Sequence, residues 1–320
     1  MRGMGLAALV LAALLGGCTF EAGPTFEPAD GEALVWPAPP EKARLAWAGE
    51  YRPGERGYRR PHGLGTGSDG RLCIADPGAG VVWVHGPEGK VRHVGSGKLN
   101  TPVDCAFVGS DLLVVSDSMA GRLVAFDVRG RVAWRSAEGA LARPAGLAVD
   151  TERQRIVVCD VTRHALALVD YAGAVTASLG GRGAEEGRFN FPTDVAIGPW
   201  GRLYVVDAMN FRIQVLDAEG KSRQVFGVAG DGPGTFHRPR GVAVDRLGRI
   251  YVSDALFDVI QIFDGQGRLL MALGQRGHGA GEFWMPAGVT VEEGRRLLVA
   301  DAYNRRVQVF QLLAATEEQP

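Results

Sequence analysis

The sequence predicts an all-β fold, a six-bladed β-propeller of four-stranded blades. The first observation behind this prediction is a repeat of two short apolar strands joined by a turn. A proline begins the first strand, and an aspartate ends the second. Successive prolines lie 41 to 48 residues apart, a period typical of propellers and solenoids. The repeat occurs six times, with the prolines Pro61, Pro102, Pro144, Pro192, Pro239 and Pro286 and the aspartates Asp76, Asp117, Asp160, Asp207, Asp254 and Asp301.

The second observation is the character of the apolar runs. Runs such as LYVV and IQVL are about five residues long, rich in Val, Ile and Leu, and bounded by turn residues, as β-strands are. They are continuous rather than alternating, which is expected of strands that are buried on both faces between neighbouring blades. Residues 217–220 and 245–248 begin with Asp and end with Gly, a composition that indicates tight turns.

The third observation concerns the two ends of the repeat region. The sixth repeat stops after its third strand, at RRVQVFQLL. The segment from Ala43 matches the fourth strand and following loop of the earlier repeats. We therefore expect strand 43–51 to complete the last blade by pairing near residues 306–311. A closed ring of this kind leaves only short, protected strand edges.

The repeat also resembles a known family. Its consensus of G-x-G-x-G-x-F-x-x-P, then G-V-A-V-D, then D-x-x-N-x-R resembles the NHL repeat, most completely over residues 227–263 and 274–310. Asn210 with Arg212, and Asn304 with Arg306, match its Asn and Arg. The first three repeats depart from the consensus. The resemblance covers about residues 43–313 and implies a six-bladed propeller similar to bacterial NHL-repeat lipoproteins.

The first 42 residues predict export and anchoring. Arg2 is followed by an apolar run of about a dozen residues, which is typical of a signal peptide and too short to span a membrane. The sequence LGGC resembles a bacterial lipobox that ends at Cys18. We therefore predict a signal peptide at 1–17, a lipidated Pro-containing tether at 18–42, the propeller at 43–313 and a tail at 314–320. Val35–Trp36 and the prolines after it could instead dock on the propeller.

These features predict a lipid anchor in the bacterial cell envelope. Thr19 after the cysteine favours the outer membrane, on the periplasmic or the surface side, by analogy with Gram-negative sorting. The formal net charge is −1, which gives no overall attraction to nucleic acid. We expect a monomeric propeller. Cys73, Cys105 and Cys159 lie in apolar strands and are predicted to be buried thiols, although a Cys73–Cys105 disulfide is an alternative.

Strand order separates two faces. We letter the four strands of each repeat a to d in chain order. The mouth face carries the loops from strand d to the next strand a and the b–c turns. The turn face carries the a–b and c–d turns. The mouth face has the longer loops, which commonly carry function, whereas the turn face offers mostly Asp-Gly turns. The predicted binding residues on the mouth face are His62, Thr193, Arg240, Met209, Phe211, Phe257, Tyr303 and Arg305.

Catalytic signals are weak in this sequence. Similar propellers of the peptidyl-amidoglycolate lyase type hold zinc with several histidines near the mouth, and only His62 matches them here. Catalytic zinc normally has three protein ligands, so we expect neither a metal ion nor another cofactor. We interpret the six recurring aspartates as structural turn residues, because six equivalent positions suit a structural role.

The sequence thus favours an envelope lipoprotein that serves as a binding or scaffold module. Its expected partner is an envelope protein, a peptide or a glycan, and the membrane is contacted through the lipid. The alternative is a lyase or hydrolase with its site at the central mouth. Fold alone does not decide between them, because one fold hosts many activities.

Overall fold

A computed structural model describes residues 20–21, 26–31, 33–52, 57–292 and 295–313. The predicted signal peptide, the lipidation site Cys18 and the C-terminal tail lie outside the described residues. Among the described residues, no helix is long and apolar enough to cross a membrane. The only helical segments described are three short 3₁₀ turns at Val161–Arg163, Pro199–Gly201 and Ala208–Asn210.

The described residues form 27 β-strands in six antiparallel sheets. The strands are β1 (Phe20–Glu21), β2 (Glu27–Pro28), β3 (Val35–Trp36), β4 (Leu45–Tyr51), β5 (Leu64–Thr66), β6 (Leu72–Asp76), β7 (Val81–His85), β8 (Val91–Val94), β9 (Pro102–Val108), β10 (Leu112–Asp117), β11 (Arg122–Asp127), β12 (Val132–Arg135), β13 (Pro144–Asp150), β14 (Arg155–Asp160), β15 (Ala165–Asp170), β16 (Val175–Gly180), β17 (Pro192–Ile197), β18 (Leu203–Asp207), β19 (Arg212–Leu216), β20 (Ser222–Phe226), β21 (Pro239–Val244), β22 (Ile250–Asp254), β23 (Val259–Phe263), β24 (Leu269–Leu273), β25 (Pro286–Glu292), β26 (Arg296–Asp301) and β27 (Arg306–Leu312).

The six sheets are the blades of a propeller, as the repeat predicts. Blades 1 to 5 are β5–β8, β9–β12, β13–β16, β17–β20 and β21–β24, each in sequence order from strand a to strand d. Blade 6 consists of β25, β26, β27 and β4. The a strands lie innermost and neighbour one another around the ring, with β25 next to β5. Apolar clusters between successive blades, each containing strands of two blades, form the core.

The predicted ring closure is confirmed. Strand β4 pairs antiparallel with β27, from Val307 opposite Tyr51 to Leu312 opposite Leu45. The guanidinium of Arg306 donates to Glu50 Oε2 at 3.0 Å and to Asp301 Oδ2 at 2.8 Å. Arg306 is 2% exposed, and its carboxylate partners supply the compensation that a buried charge requires. An ion pair therefore joins the two ends of the propeller.

The segment before β4 also packs on blade 6. Strands β2 and β3 pair in succession with the outer side of β4, and Trp36 of β3 packs edge-on against Phe310 with ring centroids 5.6 Å apart. Strand β1 pairs with β8 at the outer edge of blade 1. Part of the segment that we expect to act as a tether thus covers strand edges on either side of the seam between blades 6 and 1. Covered edges cannot pair with other chains.

The six recurring aspartates hold the loop that precedes each strand a. In blades 1, 2, 3 and 5 the carboxylate accepts backbone N–H groups from both residues before the proline, at 2.7 to 3.0 Å. Asp207 and Asp301 accept only the first of these groups, from Asn190 and Trp284. All six side chains are at most 1% exposed. In blades 1, 2, 3 and 5 their main contact is therefore with the d–a loop. The b–c turn is an additional partner, as in Asp76 with Ala79, and in blades 4 and 6 Asn210 and Asn304 of that turn donate to Asp207 and Asp301.

Two further carboxyl groups join neighbouring blades around the channel. Asp104 accepts from Cys105 N–H and, across the blade boundary, from Leu147 N–H, both at 2.8 Å. Asp194 accepts in the same way from Val195 and Val242, both at 2.9 Å. A Cβ at the glycine of the preceding blade, Gly63 or Gly146, would overlap these carboxyl groups, so each Asp requires a Gly at the equivalent position of the blade before it.

Burial raises the pKa of both carboxyl groups. Desolvation is the largest cause for Asp104, and the negative charge of Asp194 adds to it, while the N–H donors act in the opposite direction. Desolvation also raises the pKa of Asp194. Their hydrogen bonds to backbone on two blades indicate that they align adjacent a strands.

Removing the N-terminal strands should destabilise the ring. Deletion of residues 1–51 leaves the outer edge of β27 unpaired, leaves Arg306 without Glu50 and removes the buried Leu45 side chain, a loss of roughly 2–5 kcal/mol for Leu45 alone. We expect a lower melting temperature and association in size-exclusion chromatography with light scattering. Deletion of residues 1–19 is the matched control and should change neither. A monomer with an unchanged melting temperature after deletion of 1–51 would contradict this closure.

Replacing Asp194 should change the pH dependence of stability. A carboxyl group whose pKa is raised on folding contributes stability below its unfolded pKa of about 3.9 and loses it as the pH rises through the folded value. The difference in unfolding free energy between the wild type and Asp194→Asn should therefore fall as the pH rises from about 4 toward neutral. Denaturant titrations across this range measure it. Parallel profiles for the two proteins would contradict the raised pKa.

Candidate functional site

A central cavity of about 430 Å³ runs between the six a strands. Four of the positions that follow the six prolines line its mouth, and three of these carry polar side chains: His62, Thr193 and Arg240. Val103 is the fourth, whereas Ala145 and Ala287 are buried, at 7% and 0% exposed, and do not line the cavity. The structure therefore brings together three of the predicted binding residues, one each from blades 1, 4 and 5.

Arg240 is the cation of this mouth. Its side chain is half-buried, and no hydrogen bond or ion pair of its guanidinium is found among the described residues. Burial lowers the pKa of Arg240 to about 10, and the positive charges of Arg238 and Arg60 add to this effect, which Tyr303 partly opposes. Arg60 and Arg238 are exposed. The mouth thus holds three guanidinium groups near one another, a charge that favours an anion.

His62 is neutral in this setting. Its Nδ1 lies 3.1 Å from the carbonyl oxygen of Val103. Burial lowers the pKa of His62 to about 3, with a further contribution from the positive charge of Arg240. A neutral imidazole whose Nδ1 carries the proton has Nε2 as a hydrogen-bond acceptor.

Three other polar side chains of the channel, Thr193, Asp104 and Asp194, have protein partners. Thr193 Oγ1 donates to the carbonyl oxygen of Arg240 at 3.1 Å. Every carboxylate oxygen of Asp104 and Asp194 accepts a backbone N–H, as described above. Within the described parts of the chain, no three His, Cys, Asp or Glu side chains converge as a set of metal ligands.

The b–c turns of blades 4 to 6 supply an exposed rim. Met209 is 53% and Tyr303 is 48% exposed, and Arg305 is exposed beside them in sequence. The Tyr303 ring packs against that of Trp284, with centroids 5.5 Å apart. We call Met209, Trp284, Tyr303 and Arg305 the rim.

Two of the predicted binding residues are less available. Phe211 is half-buried against the apolar cluster between blades 4 and 5, and its backbone adopts a φ of 54°. Phe257 is half-buried and contacts the His237 ring at 5.7 Å. The Phe211 side chain therefore also contributes to packing, because the turn directs it back onto the blade junction.

The structure also reveals features that the sequence did not suggest. The turn face is not limited to Asp-Gly turns, because Trp200 and Leu247 project from it and are 79% and 77% exposed. Trp200 lies under the guanidinium of Arg202, at 5.1 Å from its ring centroid. The expectation that this face offers little for binding is therefore too simple. By contrast, the prediction that Cys73, Cys105 and Cys159 are buried thiols is confirmed, and the alternative Cys73–Cys105 disulfide is not formed.

Comparison with known proteins supports the fold. The family profile described as NHL repeat matches residues 189–216 and 283–310, which lie in the fourth and sixth repeats. A search of curated proteins found no match.

Solved structures of similar fold come from several sources. A gluconolactonase from Xanthomonas campestris has a TM-score of 0.65 at 18% identity, over 92% of this chain and 100% of its own. An auxiliary nutrient binding protein from Bacteroides thetaiotaomicron has a TM-score of 0.65 at 16% identity, over 79% and 69% of the two chains. Virginiamycin B lyase from Staphylococcus aureus has a TM-score of 0.61 at 12% identity, over 82% and 98%.

These identities are low, and the likeness concerns the fold. Proteins of this shape differ in what they do, as a lactonase, a lyase and a binding protein illustrate. The repeat match and the six four-stranded blades together carry one conclusion: this chain contains NHL repeats and is a six-bladed β-propeller.

Proposed function

We propose that this chain is a ligand-binding propeller, anchored in the bacterial cell envelope by a lipid on Cys18, that captures a protein, peptide or glycan at its mouth face. One observation carries the binding role: Arg240 lies half-buried at the mouth of the central cavity without an acceptor among the described residues. A guanidinium in a partly desolvated position gains from an anionic partner, and a ligand can supply one.

The alternative of catalysis at the mouth has less support. The only carboxyl groups in the channel, among the residues that the structure describes, use their oxygens to bind backbone of two blades. His62 has one ring nitrogen engaged by Val103 and no carboxylate to orient it. A general base needs a free acceptor positioned against the proton that it removes, and a carboxylate commonly orients a catalytic histidine. The lyase and lactonase of similar fold support this alternative only through their shape.

The anchor and location rest on the N-terminal sequence. The lipobox resemblance at Cys18 motivates a lipoprotein, whose several acyl chains suffice for stable attachment where a single chain binds marginally. The outer membrane is the proposed location, with the protein on its periplasmic or surface side and monomeric. The proposed partner is an envelope component rather than nucleic acid.

Shortening the rim should weaken partner capture. Aromatic and other large side chains dominate binding energies, and truncation of a hot spot costs about 2 kcal/mol or more, which is over tenfold in Kd. A Met209→Ala/Tyr303→Ala protein should bind the partner identified by cross-linking of the lipidated protein more than tenfold more weakly, with an unchanged melting temperature. The control is Trp200→Ala/Leu247→Ala, which removes two exposed apolar side chains from the turn face. Loss of binding in the control alone would assign capture to the other face.

Replacing Cys18 should abolish anchoring. Cys18→Ser removes the thiol that would carry the lipid, so the protein should appear in the soluble fraction or persist as an unprocessed precursor. Membrane fractionation and the mass of the mature protein measure this. The Cys159→Ser protein, which changes a buried thiol of blade 3, is the control and should remain anchored. An unchanged fraction and mature mass for Cys18→Ser would refute the lipoprotein proposal.

A further inference from the structure

The mouth has a specific combination of charge and hydrogen-bonding groups. Arg240, Arg238 and Arg60 lie close enough for the charges of the latter two to act on the first. No side-chain hydrogen bond or ion pair of these three is found within the described ranges of the chain. Arg240 is half-buried and lines the cavity, so its positive charge, to which the exposed Arg60 and Arg238 add, favours an anion at the mouth.

His62 adds a hydrogen-bond acceptor next to these cations. The carbonyl oxygen of Val103 can only accept, so the hydrogen of their 3.1 Å contact belongs to Nδ1 of His62. The Nε2 atom of the neutral ring then carries a lone pair. Since His62 lines the cavity, this nitrogen is suited to receive a hydroxyl or amino hydrogen of a ligand, and unsuited to face a carboxylate oxygen directly.

Thr193 provides a second acceptor. Its hydroxyl hydrogen is directed to the carbonyl oxygen of Arg240 at 3.1 Å, which leaves the lone pairs of Oγ1 for a ligand donor. Thr193 and Arg240 belong to neighbouring blades, and both line the same cavity. Arg240 therefore favours a negatively charged group of a ligand, while His62 and Thr193 favour hydrogen-bond donors of the ligand.

A ligand that satisfies all of these groups needs an anionic group and several hydroxyl groups. We infer that the mouth binds an anionic sugar, in which a carboxylate or a phosphate pairs with Arg240 and hydroxyl groups donate to His62 and Thr193. This inference deepens the proposed function and rests on it, because it names the ligand class of the same mouth. The cavity of about 430 Å³ lies within the usual range of small-molecule sites.

The rim is compatible with such a ligand. The rings of Trp284 and Tyr303 pack together with centroids 5.5 Å apart, and Tyr303 is 48% exposed, so an aromatic ring on the mouth face is accessible to the C–H groups of a sugar. A peptide could also place a terminal carboxylate on Arg240, but its backbone offers one N–H per residue, and an acceptor oxygen accompanies each. A sugar offers a hydroxyl donor on nearly every carbon, so two separate acceptors near one cation favour the sugar.

Calorimetric titration of the detergent-solubilised full-length protein tests this inference. The probes are D-glucuronate and D-glucose 6-phosphate, which share a hydroxylated ring and differ in the anionic group. The comparison ligands are D-glucose, propionate, inorganic phosphate and triglycine. We expect at least one anionic sugar to bind at least tenfold more tightly than each comparison ligand, and the better of the two identifies the anionic group.

Variants assign the binding to the mouth. Arg240→Gln should weaken binding of the anionic sugar about tenfold or more, because a charge-assisted hydrogen bond is lost, and should remove most of the salt dependence. His62→Leu should weaken it while the preference for anions remains. The matched control is Arg246→Gln, an exposed arginine of blade 5 on the turn face, which should bind as the wild type does. Melting temperatures of the variants confirm that each is folded.

The remaining outcomes contradict either the inference or the proposed function. Propionate or phosphate binding as tightly as the sugars would show that the hydroxyl groups are not recognised. Equally tight binding of glucose would show that the anionic group is not recognised. Tighter binding of triglycine would show that the ligand is a peptide and not a sugar. Absence of binding by both anionic sugars in a protein whose rim-dependent partner capture is intact would refute the inference and leave the proposed function standing. Loss of rim-dependent partner capture with sugar binding intact would contradict the proposed capture at the rim and leave sugar binding at the mouth standing.

Discussion

The buried aspartate at the end of each strand b is the interaction on which the molecule depends. In every blade its carboxylate accepts at least one backbone N–H from the loop that leads into the same blade, and in four blades it accepts two. Loop N–H groups that are removed from water need such acceptors. The carboxylate therefore holds one or both of the two residues that precede each proline, and in blades 1, 2, 4 and 5 the residue after that proline lines the central cavity. The positions of His62, Thr193 and Arg240 follow from this repeated contact.

The repeat varies where additional partners are available. In blades 4 and 6 the aspartate also accepts from an Asn, an Arg and a Gln side chain, so Asp207 and Asp301 each neutralise a guanidinium in the blade. The second loop N–H is then taken by the preceding blade: Phe191 donates to His164 and Met285 to Asp258. Neighbouring blades thereby become coupled at the mouth face. Satisfied buried networks of this kind specify one arrangement.

Much of the fold could be predicted from the sequence, because strand length, turn residues and period are local signals. The pairing of strand 43–51 with β27 was predictable because the last repeat lacks one strand. The bonds from Asp104 to Leu147 and from Asp194 to Val242 were not, since they join residues 43 and 48 positions apart through the ring geometry. The burial of Phe211 and the exposure of Trp200 were also missed. Both residues have positive φ values, which redirect a side chain in a way that hydrophobicity does not reveal.

The position of the closing ion pair has a consequence for how the chain becomes a ring. Arg306 and Glu50 are separated by 256 residues, and strand β4, which pairs with β2 and β3 on its outer side, has no partner within blade 6 until β27 exists. Blades 2 to 5 each consist of contiguous sequence and can form as the chain lengthens, whereas blade 6 requires both ends at once. Closure of so long a loop is entropically costly, although the cost grows only slowly with length. If the chain crosses a membrane from its N-terminus, β4 lacks its partner β27 until nearly the whole chain has crossed. The ring would therefore close as the last event of its maturation.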